Sequence, residues 1–191
     1  MTKRRGRPKT SSVETLGEAA VELFLEVGFE RASIDDITAR AGVSRGTFFS
    51  YFPGGKADAL WSQLLMSQPQ ATEPAGDGIR HAAEMLVALV APWGDRVPQV
   101  LRDAEVMRAT DTLVDTAGPR IREITERLAL RIAMDDDTLP ESARPAVVSG
   151  ALVGAALGAV TAWMRGPDSS AEDAVRAALE PLVQFYSSSS Q

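Results

Sequence analysis

Apolar residues recur at three- and four-residue intervals in nearly every segment of the chain, and no run alternates apolar with polar as a half-buried strand does. The pattern predicts an all-α protein. Residues 12–27 read as a first helix, with Leu16, Ala20, Leu23, Phe24 and Val27 on one face and Gly28 ending it. Glu14, Glu18, Glu22 and Glu26 fall four apart on another side and read as a solvated acidic row. A second helix starts near Ile34 and stops at Gly42, and a third lies within residues 44–52. A fourth begins near Lys56 and carries Leu60, Trp61, Leu64 and Leu65. Residues 67–78 (SQPQATEPAGDG) are turn-rich and make the clearest break in composition.

Beyond the break the helical period resumes. Residues 79–91 place Ala82, Met85, Leu86, Leu89 and Val90 on one face, and Pro92-Trp93-Gly94 stops that helix. One or two helices follow over 97–114, and Gly118-Pro119 is expected to start another that runs to Met134, before a solvated, non-helical stop at Asp135, Asp136 and Asp137. Residues 146–164 (AVVSGALVGAALGAVTAWM) are the most apolar stretch and approach membrane-spanning length. Alanine and glycine dominate it, however, and Gly150, Gly154 and Gly158 form a shallow groove at four-residue spacing, as for a helix approached closely by others. A helix apolar all round in a soluble protein is buried on several sides, here by its own domain and by a partner chain. The last helix, residues 171–186, repeats Val175, Leu179, Leu182 and Tyr186, with Pro181 expected to kink it. The serine-rich residues 187–191 are expected to be disordered.

Residues 33–52 (SIDDITARAGVSRGTFFSYF) carry the most local information. Ser33 is a good N-cap, and Asp36, three residues on, is placed to return a hydrogen bond to the cap's own N–H. Ile37 and Ala41 share a face, with small Thr38 beside them; Gly42 accepts the left-handed conformation, Val43 fills the corner and Ser44 caps the next helix. Phe48 and Phe52, four apart, bury one side of that helix, which leaves Arg45, Thr47, Phe49 and Ser50 outward and Tyr51 near the edge. Two short helices joined this way make a helix-turn-helix, whose second helix offers its N-terminal part to the DNA major groove. Arg45 then suits guanine O6 and N7, and Thr47 a thymine methyl or a phosphate. The same Gly and Ser also serve an ordinary three-helix corner that only reverses the chain.

The wider context resembles the N-terminal DNA-binding domain of the TetR family of bacterial transcription regulators over roughly residues 12–61. The likeness is carried by Ala19, Ala20, Leu23 and Phe24, Val27-Gly28-Phe29, Ile37, Ala41-Gly42-Val43-Ser44, Gly46-Thr47, Tyr51-Phe52 and Lys56. Two departures stand out: Phe49 replaces a family tyrosine whose hydroxyl bonds phosphate, and two glycines, Gly54 and Gly55, precede Lys56 where the family has one residue. Lys3 to Lys9 are too polar and Gly/Pro-broken to fold alone and read as a flexible basic arm over 1–10, while the resemblance implies a helix-turn-helix domain over 11–66 and a helical ligand-binding and dimerisation domain over 79–187. Its DNA-facing set comprises Ser33, Ser44, Arg45, Gly46, Thr47, Phe49, Ser50, Tyr51 and Lys56, joined by Arg5 and Arg7 of the arm. The C-terminal helices imply a four-helix dimer interface drawn from Val153, Leu157, Val160, Val175, Leu179, Leu182 and Tyr186. A small-molecule effector would sit in the helical domain, with Met85, Trp93, Met107, Met134 and Trp163 as apolar lining and Arg102, Glu105 or Arg108 as polar orienting groups. The expected partners are a double-stranded operator, a second copy and that effector. The alternative is a DNA-binding protein of the same fold that answers to a partner protein, or, from residues 146–164, a membrane-associated or structural helical protein.

Composition sharpens this in three places. The chain has 191 residues, 45% of them hydrophobic and 24% charged, enough for a small DNA-binding domain plus a larger helical one. Its net charge of −6 is unevenly divided: residues 1–60 hold nine Lys/Arg against eight Asp/Glu, and residues 61–191 hold eleven against eighteen. Five of the basic residues crowd into positions 3–9, where Arg5-Gly6-Arg7-Pro8 resembles the core of an AT-hook that enters a narrow minor groove; a solvated basic tail is the other reading. With no cysteine, thiolate metal sites and cysteine nucleophiles are excluded, and with one histidine, His81, and no phosphate-cradling glycine loop, no enzyme, metal or cofactor is expected. His81 reads as a partly exposed residue among helical neighbours, a ligand contact being the alternative. No apolar region follows the basic start, so a cytoplasmic location is expected.

Overall fold

The computed structural model describes residues 13–65, 77–135, 143–166 and 168–188. Among them the chain is all-helical: α1 Val13–Val27, α2 Ile34–Ala41, α3 Arg45–Tyr51, α4 Lys56–Ser62, α5 Gly78–Val90, a 3-10 turn Ala91–Trp93, α6 Gln99–Arg102, α7 Thr110–Asp135, α8 Ala143–Trp163 and α9 Ala171–Ser188. The arm with Arg5 and Arg7, the break over 67–76, Asp136, Asp137 and residues 189–191 lie outside the described residues. The described chain divides into two compact units, one reaching Leu64 and including Arg102–Leu113, the other formed by Leu65–Leu101 and Val114 onward.

The first unit grows from the apolar face of α1. Leu16, Ala20 and Phe24 are fully buried and Leu23 nearly so, as their spacing predicts. Gly28 takes φ +86° and turns the chain so that the ring of Phe29 comes back to 4.9 Å from that of Phe24. Residues 102–113 were expected in the second domain, but they close this core. Met107 and Ala109 are fully buried, and the Phe29 N–H donates to the Met107 carbonyl at 2.7 Å. The acidic row is exposed, as expected, but part of it is paired. Arg40 of α2 forms a forked pair with both carboxylate oxygens of Glu26 and lies 3.9 Å from Glu22, tying α2 back to α1. That hydrogen bond holds the Glu26 carboxyl below its ordinary range, against the smaller opposing effect of burial.

The second unit packs α5, α7, α8 and α9 around Ile79, Ala82, Leu86, Val90, Leu128, Ile132, Val148, Leu152, Val175, Leu179 and Val183. At one end Trp93 and Trp163 lie 6.3 Å apart, the Trp163 indole N–H donates to the Ser169 carbonyl, and the Ala171 N–H reaches the Gly94 carbonyl at 2.7 Å. Arg176 of α9 bridges Glu84 of α5 and Glu172 of its own helix, and these hydrogen bonds raise its pKa.

Three helix boundaries differ from expectation. Gly118-Pro119 does not start a helix; α7 runs through it from Thr110 to Asp135. Both residues are exposed, as is Asp115, whose carbonyl loses its i+4 donor to the proline, so water can supply the missing bond. The helix also continues to Asp135, which is no solvated stop: its carboxylate is 9% exposed, 2.9 Å from Arg131 Nε and 3.3 Å from His81 Nδ1. His81 itself is 13% exposed at the side chain. α9 likewise continues through Pro181 to Ser188, so Ser187 and Ser188 are helical, and Ser187 donates to Asp77 at 3.0 Å.

Candidate nucleic-acid interface

The α2–α3 corner is built by capping at each of its ends. Ser33 Oγ accepts the Asp36 N–H at 3.1 Å, and its hydroxyl donates to Asp36 Oδ2 at 2.5 Å. The return bond therefore runs to the carboxylate from the cap's hydroxyl, in place of the backbone N–H expected from the sequence. Thr38 is buried and its hydroxyl bonds the Asp35 carbonyl at 3.0 Å, which leaves its methyl to the core. Gly42 adopts φ +69°, ψ +34° and ends α2, and Val43 is half-buried with its N–H on the Thr38 carbonyl. Ser44 then caps α3 by accepting the Thr47 N–H at 3.1 Å.

Phe48 is fully buried and Phe52 is 2% exposed, their rings 5.3 Å apart. Burial of this pair fixes the roll of α3. Arg45, Gly46, Phe49, Ser50 and Tyr51 consequently lie at the surface, with Thr47 half-buried and its hydroxyl 3.0 Å from Ser44 Oγ. The Ser50 hydroxyl is turned back onto the Thr47 carbonyl at 2.9 Å. An alanine at Gly46 would meet only Ser44 Oγ, at an ordinary 3.6 Å, so nothing in the fold itself requires glycine there.

Two cations assigned to DNA have different occupations. Arg45 Nη1 is 2.7 Å from Asp35 Oδ1 of α2, and its guanidinium carbon lies 5.9 Å from the centre of the Phe49 ring. Both partners are more than half exposed, 56% and 69%, so the pair is worth about 0–1 kcal/mol to folding. Lys56 points inward. Its ammonium donates to the carbonyls of Phe29 at 2.6 Å, Ala32 at 3.0 Å and Glu30 at 3.3 Å, and stands 4.6 Å from the centre of the Phe29 ring. Three donors meet three acceptors, so no N–H of the ammonium is left for a phosphate. Lys56 is half-buried and pins the α1–α2 turn to the start of α4. The sequence shows a lysine after two glycines; that Gly55 at φ +78° sends it to this turn is visible only in the fold. The Gly54 N–H is taken by Asp58 Oδ2 at 2.5 Å.

The residues assigned to an effector site are dispersed. Met85 and Trp93 are half-buried against the core of the second unit, and Trp163 is 4% exposed within it. Met107, with Arg102, Glu105 and Arg108, belongs to the first unit, and Met134 is 74% exposed. The interface set also splits. Val153, Val175 and Leu179 are buried in the chain's own core, Val160, Leu182 and Tyr186 are half-buried, and Leu157 is 43% exposed. Sequence reasoning missed the open apolar positions Val147 on α8 and Phe185 on α9, 59% and 65% exposed. Gly150, Gly154 and Gly158 face outward with open space at each Cβ position. α8 is long and apolar enough to cross a membrane by length and composition, but one face of it is core.

Residues 16–58 match the family described as bacterial regulatory proteins, tetR family, the segment in which the sequence motifs lie. Over 93% of this chain and 92% of the relative, the chain is 26% identical to the putative mycofactocin biosynthesis transcriptional regulator MftR of Mycobacterium tuberculosis. It is 42% identical over 52 residues, 26% of the chain and 27% of the relative, to the uncharacterized HTH-type transcriptional regulator YvdT of Bacillus subtilis. Among solved structures, a cysteine mutant of the TetR family transcriptional regulator CifR, complexed with 26-base-pair double-strand operator DNA, superposes with a TM-score of 0.43 at 20% identity, covering 94% of this chain and 98% of that one.

Proposed function

We propose that this TetR-type, DNA-binding transcriptional regulator acts as a homodimeric repressor that reads a near-palindromic operator through two copies of α3. The observation that carries the reading is the α3 surface. A Ser44-capped helix, rolled into place by Phe48 and Phe52, offers Arg45, Gly46, Thr47 and Phe49 along its first turns, where a recognition helix meets base edges. Arg45 is the guanine reader, Thr47 approaches a thymine methyl or phosphate, and Tyr51 supplies a hydroxyl toward the DNA backbone, which Ser50 can do only by turning its hydroxyl away from the Thr47 carbonyl. Arg5 and Arg7 of the arm add minor-groove contacts beside each half-site, with A·T-rich flanks favoured.

The second copy docks on the open side of α8 and α9. Leu157, Val147 and Phe185 are apolar and exposed, and the outward glycines Gly150, Gly154 and Gly158 let another helix approach closely. Val153, Val175 and Leu179 support this surface from within the core. An effector held in the second unit, near Met85, Trp93 and Trp163, favours a dimer whose recognition helices are wrongly spaced and so releases DNA. The coupling needed is on the order of 1–3 kcal/mol.

The test is selection of bound sequences from random duplex DNA by purified protein, with the mass of the species measured in the same buffer. A palindrome recovered by a dimer is expected, with half-site centres about one helical turn apart. A folded protein that enriches no sequence overturns the operator reading, and a monomer that does enrich one overturns the dimer.

A further inference from the structure

We infer that Asp35 of α2 is a positioning residue for base recognition, holding the Arg45 guanidinium of α3 in the direction in which it reads DNA. This rests on the assignment of Arg45 as the base-contacting residue. The carboxylate is mounted on a rigid support: Ser33 caps the helix two residues earlier, and the Asp35 carbonyl is bonded by the buried Thr38. From there Oδ1 takes Arg45 Nη1 at 2.7 Å, while Phe49 lies 5.9 Å from the guanidinium carbon. A long, exposed side chain that would otherwise sample many rotamers is held by a carboxylate and a ring. Only one of its five N–H donors is engaged, so an edge of the guanidinium remains for guanine O6 and N7.

Asp35 shares the first turn of α2 with Asp36, where a carboxylate favours the positive helix end by about 0.3–1 kcal/mol, but that role does not call for a bond to Arg45. An ion pair this exposed contributes little to folding. The capping duty at the start of α2 belongs to its neighbour Asp36, which exchanges hydrogen bonds with Ser33. Meanwhile a negative charge beside the recognition helix weakens attraction to every phosphate nearby. Asp35 therefore reduces general affinity and, through Arg45, raises discrimination.

The experiment compares Asp35→Asn, Asp35→Glu, Asp36→Asn, Arg45→Ala and the double variant Asp35→Asn/Arg45→Ala, each checked for native helicity and melting temperature. Base preference is read by selection from random duplexes, and affinity is measured on the selected duplex and on random DNA across a salt series. For Asp35→Asn the expected result is a roughly two- to fivefold fall in the ratio of selected to random binding, the range set by a pair this exposed. Preference should relax at the same base positions that Arg45→Ala relaxes, and random-duplex binding should tighten with a salt slope steeper by up to about one. Asp35→Glu should restore most of the preference. Asp36→Asn, which removes the same charge one residue away, should leave the preference pattern intact. In the Arg45→Ala background the second change should alter no base position further. Tighter binding of Asp35→Asn to all duplexes with unchanged preference overturns the inference, leaving Asp35 a plain counter-charge. If Arg45→Ala itself leaves preference unchanged, the assignment of Arg45 fails and the inference falls with it, a result distinguishable from the first.

Discussion

The α2–α3 corner and the α8–α9 pair are both helix pairs with a buried face, yet they keep their apolar residues in opposite ways. In α3 the two aromatic anchors, Phe48 and Phe52, are buried almost completely within the first unit, and what remains outside is mainly polar or aromatic. In α8 the buried side (Val148, Leu152, Val153, Ala156) is matched by an open side bearing Val147, Leu157 and three glycines. The first pattern describes a helix whose partner lies in its own chain and whose free face is made for a polar surface. The second describes a helix with apolar surface still to cover.

The largest expected effect follows from truncating each kind of apolar residue. Phe48→Ala should lower unfolding free energy by about 3–5 kcal/mol at any protein concentration, measured by urea titration. Leu157→Ala should barely change the stability of a dilute chain but raise the dissociation constant of the proposed dimer, measured by sedimentation. Loss of stability at Leu157 equal to that at Phe48 would erase the contrast. Next, Lys56→Ala should cost about 1–3 kcal/mol, because three turn carbonyls lose a charged donor. Its salt slope for DNA should be unchanged; a slope lower by about one would return Lys56 to the phosphates.

Smaller effects sharpen the account of the DNA-facing side. Gly46→Ala should stabilise the free protein by about 0.5–1 kcal/mol, since alanine favours the helix and meets no close contact. It should weaken duplex binding if the α3 backbone approaches DNA there, so melting temperature and affinity are expected to move in opposite senses. The smallest effect is on pH. Arg40 depresses the Glu26 carboxyl, so the pair's contribution is present in full above the ordinary glutamate value of 4.5 and is lost as pH falls through the lower folded value. The difference in urea midpoint between the parent and Glu26→Gln should shrink below pH 4.5.

Both helix caps of the corner, the stop at Gly42 and the inward placement of Phe48 and Phe52 are legible in the sequence, because each depends on residues three or four positions apart. The burial of α1 is legible for the same reason. The second unit was readable as helices but not as surfaces: the heptad-like positions Val175 and Leu179 are equally apt for a partner chain or for their own core, and only the packing of α9 on α5 and α8 assigns them to the core. Gly118-Pro119 resembles a helix start, and α7 runs through it because the affected backbone lies on an exposed side. Met107 joins the first unit through contacts with residues near position 28, about eighty positions away in the chain. What the sequence determined by itself was local conformation: where helices begin and end, and which side of each is apolar. Tertiary structure decided the partners. Lys56 went to three carbonyls of a distant turn, Arg40 to Glu26 and Arg45 to Asp35, because a long charged side chain binds whichever group the fold brings within its reach, and sequence spacing does not encode that distance.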